Sequence, residues 1–243
     1  MKGLIYIRYE MLRTVRNRRF LIFSLAFPLI LFFTVAGAHR HVTLDGIGFP
    51  LYYMTGMAAW GSMVAVISAG GRIADERKVG WTRQLRITPL KTSSYFTAKV
   101  LTGYLMALFS IIILAFAGVS LGVHLAATGW LTMLGLLLVG LIPFAIMGIL
   151  LGHLIPVDSL GPAMGGITAL FALLGGTFGP LFTSGAIFDV IKDLPSYWLV
   201  QAGKSAVEGG HVWTGQAWIV IAVWSIALAG AAVRVYRRDT QKV

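Results

Sequence analysis

The sequence predicts an all-α polytopic membrane protein with six transmembrane helices. It adds an N-terminal amphipathic helix at the membrane surface, a short cytoplasmic helix between spans two and three, and short outer helices between spans five and six. Three observations carry the prediction. First, 57% of the 243 residues are hydrophobic and only 12% are charged, whereas a soluble domain carries about 25% charged residues. Second, six runs free of Asp, Glu, Lys, Arg and His are each long enough to cross a bilayer once. Third, the 20 Lys and Arg residues fall almost entirely on one side of those runs. The net charge of +11 could suggest nucleic acid, but no soluble face exists to display such a patch, so anionic lipid is the better partner. Cysteine is absent, which removes disulfides, thiolate metal sites and cysteine nucleophiles.

The whole chain, 1–243, reads as one transmembrane domain, and its elements follow in order. Residues 1–19 set Leu4, Ile7, Met11 and Val15 at helical spacing with Lys2, Arg13 and Arg16 largely opposite. This pattern suits a helix lying among lipid headgroups, or else a basic leader that only sets topology. The spans fall at about 20–38, 50–71, 100–123, 130–152, 160–182 and 213–233. The first is a retained helix and not a signal peptide, because its basic lead-in and its apolar run are long and no small-residue cleavage pattern follows His39. Pro28 and Pro143 fall within spans and predict local loosening, as hinges or simple kinks.

Orientation follows from the cations. Six precede the first span, seven lie between spans two and three, four follow the last, and the opposite side holds only Arg40, Lys192 and Lys204. The positive-inside rule then places both termini in the cytoplasm. No charge interrupts the spans as delimited here, so a proton or ion relay of the kind transporters keep inside the membrane is not expected. Energy for transport would enter from outside the bilayer.

Between spans two and three, a helical wheel aligns Ala74, Lys78, Trp81, Leu85 and Thr88, with Asp75, Glu76, Arg83 and Arg86 on the far side. Pro89 ends the helix, which is predicted at about 72–88. It is either a docking element facing the cytosol or a solvated basic loop with a tryptophan at the interface. Gly161 with Gly165, and Gly175 with Gly179, form small-xxx-small pairs in span five, suited to a subunit interface or to packing within the chain. Residues 183–214 exceed a tight turn and predict two short helices, 186–192 and 197–207, broken at Pro195. Trp198, Trp213 and Trp218 suit the outer headgroup layer. If the pair is re-entrant, it must pack inside the bundle, where protein can satisfy its backbone.

Glu76, Arg77 and Gly80, then Leu85, Thr88, Pro89 and Leu90, and then Ala98 and Lys99, resemble the first coupling helix of type-2 ATP-binding-cassette (ABC) exporter permeases. This is the family of bacterial drug, antibiotic and polysaccharide exporters. Gly175, Gly176 and Pro180, then Leu194, Pro195, Ser196, Tyr197, Trp198 and Leu199, resemble the family's Gly-Gly and Pro-Ser-Tyr region. Trp81 departs from the pattern where many members have Thr or Ser, and Arg86, in place of a frequent Leu, makes the helix more basic. The resemblance implies a permease subunit in a bacterial inner membrane whose coupling helix docks a separate ABC ATPase, in two copies. It also implies pairing with a second permease copy, a homodimer, and a path lined by spans one, two and five. ATP binding would draw the ATPase subunits together and tilt the spans joined to the coupling helix. In that scheme Trp81 and Leu85 anchor the ATPase, Glu76, Arg77 and Arg83 set register, and Gly80, Arg86, Thr88 and Pro89 complete the docking segment.

The chain itself holds no cofactor on this reading. It lacks G-x-x-x-x-G-K-[ST], so ATP and Mg belong to the partner. His39, His41, His124, His153 and His211 lie at span ends or loops and none stands in H-E-x-x-H; they read as interfacial residues, with His39 and His41 beside Asp45 the alternative metal candidate. No acid, base or nucleophile set marks an enzyme. The alternatives are a membrane anchor for another complex, or a passive channel component, the latter needing polar pore rings that are not found.

Overall fold

The computed structural model describes residues 2–16, 18–44, 46–81, 84, 92–181, 183–207 and 212–241. Helix α1 spans Lys2–Val15. Helix α2, Arg18–Leu31, contains Pro28 and runs into a π-helical turn, Phe32–Ala36. There the Thr34 hydroxyl donates to the carbonyls of Ile30 and Leu31 at 2.7 and 3.2 Å, where the wider turn loosens the usual ladder. A two-residue hairpin, β1 (Thr43–Leu44) with β2 (Ile47–Gly48), pairs antiparallel and is the one departure from all-α among the described residues. Then follow α3 (Phe49–Lys78), α4 (Thr92–Ser120), α5 (Ala127–Gly140), α6 (Ile142–Leu154) and α7 (Val157–Leu174). Short helices α8 (Ala186–Lys192) and α9 (Pro195–Val207) precede α10 (Gly215–Gln241).

Among the described residues, five helices are long and apolar enough to cross a membrane by length and composition: α3, α4, α5 with α6, α7 and α10. Within the first expected span, Leu25–Ala36 is a shorter apolar helix. The expected span at 130–152 is two helices meeting at Leu141, with Pro143 in the first turn of α6, where its missing amide costs least. Pro143 therefore marks a helix junction.

Three expected boundaries are corrected. The span expected at 50–71 continues as one helix to Lys78, so no separate helix starts at 72. The span expected at 100 begins at Thr92. Both were clipped by charges at Arg72 and Lys99, and a charge-free window cannot foresee that such side chains are paired in the fold. The span expected at 160–182 ends at Leu174. Its amides at Gly176 and Thr177 bond back to Leu173 and Ala172, and Gly176 adopts φ 81°, a left-handed stop that glycine takes without steric cost.

Helix α3 is the axis of the bundle, with 78% of its most apolar window buried against 17% for α7 and α10. It packs chiefly on α4 and α6. Where α3 crosses α6 the backbones nearly touch. A methyl group at Gly70 would lie 2.3 Å from the Gly148 carbonyl carbon, and one at Gly152 would lie 2.6 Å from the Gly70 oxygen. Gly148 and Gly152 thus form the small-xxx-small pair that closes the core. In contrast, Gly161 and Gly165 face open space.

The outer tryptophans also differ from expectation. Trp198 and Trp213 are buried and only Trp218 is exposed, because α9 packs into the bundle against α5 and α3. Leu199 and Ala202 of α9 are fully buried there. Pro195 opens α9 and does not break it, a position where its ring is pre-shaped for the helix.

Candidate functional site

Functional side chains gather at two ends of the bundle. At the basic end, α1 packs on α4 and reaches the close of α3 through side chains. Tyr6, Glu10 and Thr14 share one face of α1 at helical spacing, and Glu10 and Thr14 are buried there. Lys99 of α4 is 1% exposed and donates to two carboxylates, Glu10 at 2.6 Å and Glu76 at 2.5 Å. The Tyr95 hydroxyl donates to the other oxygen of Glu76 at 2.5 Å. Arg13 stands 3.7 Å from Glu76 on the exposed side. Arg72 donates to the Thr14 hydroxyl, which in turn donates to the Glu10 carbonyl at 3.0 Å.

Tyr6 lies beside this network, its ring 6.2 Å from that of Tyr95. Burial pushes its phenol above the ordinary pKa, and the Glu76 and Glu10 carboxylates add to the rise, while the Trp81 indole and the Arg13 guanidinium oppose it. Tyr6 therefore stays neutral across the working range.

Beside the cluster, Arg77 donates to the carbonyls of His153 at 2.5 Å and Gly152 at 3.3 Å. Lys78 pairs with Asp158 at 3.0 Å in solvent. Phe96, His153 and Tyr236 bring their rings together, with centroids 5.3 to 6.0 Å apart. The close of α10 therefore lies at the same end as α1.

At the far end, the two motifs separated in sequence are in contact. A methyl group on Gly175 would meet Ser196 at 2.9 Å, so the end of α7 sits directly on the start of α9. The Tyr52 hydroxyl of α3 donates to the Gly176 carbonyl at 2.5 Å. A cavity of about 260 Å³ opens here, lined among others by Tyr52, Gly176, Pro180, Phe188, Tyr197 and Lys204. This is less than the roughly 300–1,000 Å³ that encloses a drug-sized molecule. It fits part of such a molecule. Trp198 donates to the Lys192 carbonyl at 2.8 Å and holds α8 on α9.

The comparisons meet this arrangement directly. The family model described as ABC-2 family transporter protein matches residues 43–234, from the hairpin to the last turns of α10. The chain belongs to the ABC-2 transporter family. It is also 27% identical over 212 residues to YvfS of Bacillus subtilis (strain 168), a protein named as a transport permease, with 83% of each chain covered. The protein is therefore a multi-pass membrane permease of an ABC transporter, and its family implies an ABC ATPase partner. A transport subunit is the role that family gives.

Within the permease, the expected docking residues divide. Trp81 is 40% exposed. Gly80, at φ 71°, turns the chain at the close of α3 and faces open space. Arg83, Leu85, Arg86, Thr88 and Pro89 lie outside the described residues. Glu76 is buried and engaged with Lys99 and Tyr95, and Arg77 is turned toward α6. Of the far-end residues, Gly175, Gly176, Pro180 and Tyr197 line the cavity, Pro195 and Trp198 are buried behind it, and Gly179 takes φ 129° in the turn.

Sequence reasoning passed over Glu10, Tyr95 and the role of Lys99. A signal for the first was present. Glu10 is the single acid among the first 44 residues and lies four residues from both Tyr6 and Thr14, a polar stripe on a helix otherwise basic and apolar. No group of three or more His, Asp or Glu able to hold a metal occurs among the described residues.

Proposed function

We propose that this permease is the membrane subunit of an ATP-driven exporter in a bacterial inner membrane. It crosses six times with both termini in the cytoplasm and works as a pair of copies with two ATPase subunits that hold ATP and Mg. Its cargo is an apolar or amphipathic compound, in the manner of drug, antibiotic or lipid-like substrates. The observation that supports this reading most strongly is the continuity of α3. One unbroken helix of 30 residues, about 45 Å long at 1.5 Å per residue, ends at Lys78, two residues past Glu76, just before the Gly80 turn and exposed Trp81. At its other end it carries Tyr52, which is bonded to the Gly-Gly turn at the cavity. A push on the Trp81 segment would therefore reach the cavity as a rigid-body tilt. The aromatic and apolar lining suits a hydrophobic part of the cargo, and Gln201 and Lys204 supply polar contacts.

The test replaces Trp81 and Leu85 together by Asp. The expected result is loss of ATPase co-purification and at least a tenfold fall in vanadate-sensitive accumulation of amphipathic dyes by inside-out vesicles carrying both subunits. Retention of both would sink the docking assignment. Absence of any vanadate-sensitive transport by the unsubstituted complex across a broad dye panel would favour an anchor or a passive component instead.

A further inference from the structure

The buried ion cluster does more than neutralise charge. Lys99, Glu10 and Glu76 are 1%, 5% and 3% exposed, and groups so buried persist only when paired and hydrogen-bonded. The pairing joins three helices: Glu10 comes from α1, Glu76 from the last turn of α3, and Lys99 from the second turn of α4. The last two helices flank residues 79–91, which include the second half of the docking segment expected at about 72–88. Among the described residues of α1 the buried polar side chains are Glu10 and Thr14, and Glu10 is the charged one. Its opposite face, with Ile5, Tyr9 and Leu12, is exposed.

We propose that Lys99 is a positioning residue that clamps α1 to the root of the coupling segment. One ammonium holds two carboxylates, so α1 and the adjoining ends of α3 and α4 move as one body when the segment is displaced. Tyr95 fixes the second oxygen of Glu76 and so orients that carboxylate toward Lys99. The Arg72–Thr14 contact repeats the tie between α3 and α1 one turn away. The clamp itself stands on this geometry. Its use in transport rests on the exporter reading above.

The experiment uses the full chain, whose lack of cysteine allows two spin labels to be placed cleanly at Arg8→Cys on α1 and Val79→Cys beyond α3, both exposed. In the unsubstituted background the inter-label distance distribution should be narrow. Glu10→Gln removes one arm of the clamp and leaves the Lys99–Glu76 and Tyr95–Glu76 bonds in place, so it serves even if Lys99→Met fails to fold. The distribution should broaden at least twofold in Glu10→Gln and in any folded Lys99→Met. Lys99→Arg should keep it narrow.

In the complete complex with its ATPase, Glu10→Gln should keep ATP hydrolysis and lower cargo moved per ATP by about fivefold. An unchanged distance distribution overturns the clamp. A broadened distribution with unchanged transport per ATP overturns the positioning role and leaves only a structural tie. If the unsubstituted complex moves no cargo with ATP, the exporter reading fails, and the labels still decide whether the clamp exists.

Discussion

Arg77 leaves α3 toward the end of α6, where its guanidinium donates to the carbonyls of His153 and Gly152. Those carbonyls belong to the last turn of a helix and lack intrahelical partners, so a cationic donor satisfies them and complements the helix dipole. Lys78, the next residue, makes its pair with Asp158 in open solvent, the side chains being 60% and 83% exposed. Charge-assisted bonds to buried carbonyls are worth about 1.5–3 kcal/mol, whereas exposed ion pairs contribute about 0–1 kcal/mol. Arg77→Ala should therefore lower the midpoint of thermal unfolding in detergent by roughly 3–10 °C, at about 2–4 °C per kcal/mol for a chain of this size. Arg77→Lys should recover part of the loss, and Lys78→Ala should shift the midpoint by less than about 2 °C. Equal shifts for Arg77→Ala and Lys78→Ala would show that the carbonyl contacts carry no special weight. In the sequence the two are adjacent basic residues, Lys78 two positions before Gly80, and nothing local says which of them faces protein. What separates them is the helix they face, and that helix lies more than 70 residues away in the chain.

The same contrast recurs among elements. Gly148 and Gly152 on α6, and Gly161 and Gly165 on α7, share one spacing and one apolar setting, yet the first pair lies against the backbone of α3 and the second against nothing within 4 Å among the described residues. Periodicity reveals that a helix has a smooth face but not which neighbour fills it, because the neighbour is chosen by the order in which helices pack. Charge-free windows located most helices and misplaced their ends for a related reason. Arg72, Glu76 and Lys99 read as water-facing until their partners are known, and Glu10 comes from a segment that sequence reading assigned to lipid headgroups. The far-end site was more legible. Its glycine turn and its Pro-Ser-Tyr start are local signals, and their contact needed only that α7 and α9 be adjacent. If the open face of α7 is where two copies meet, Gly165→Leu should leave the single chain folded, with its melting midpoint within about 2 °C, and reduce the paired fraction at least fivefold by light scattering in mild detergent. Gly148→Leu should instead abolish the folded species, since the added side chain would run into the Ile67 backbone at under 3 Å. An undiminished paired fraction in Gly165→Leu would remove this face from the subunit interface.

Taken as a whole, the molecule has two chemically distinct ends. Arg8, Arg13, Arg16, Arg72, Arg77, Lys78 and Lys99 collect around α1 and the adjoining ends of α3 and α4, and Tyr236 brings the close of α10, with Arg234, Arg237 and Arg238, to the same end. At the other end Arg40, Lys192 and Lys204 are the cations, beside the hairpin and α8–α9. The folded chain thus groups its termini-proximal helices and most of its charge together, which supports a cytoplasmic position for that end under the positive-inside rule. If that end is cytoplasmic, most of the cations behind the net charge of +11 meet the anionic headgroups of one leaflet. Because the chain has no cysteine, single substitutions report this directly. Arg8→Cys, Arg237→Cys and Ser184→Cys lie on exposed positions, the first two at the basic end and the third beside α8. A membrane-impermeant maleimide applied to intact cells should label only Ser184→Cys, with the other two reacting after permeabilisation. The reverse pattern would invert the protein, put Trp81 on the side that holds no ATP, and overturn the docking role proposed for it.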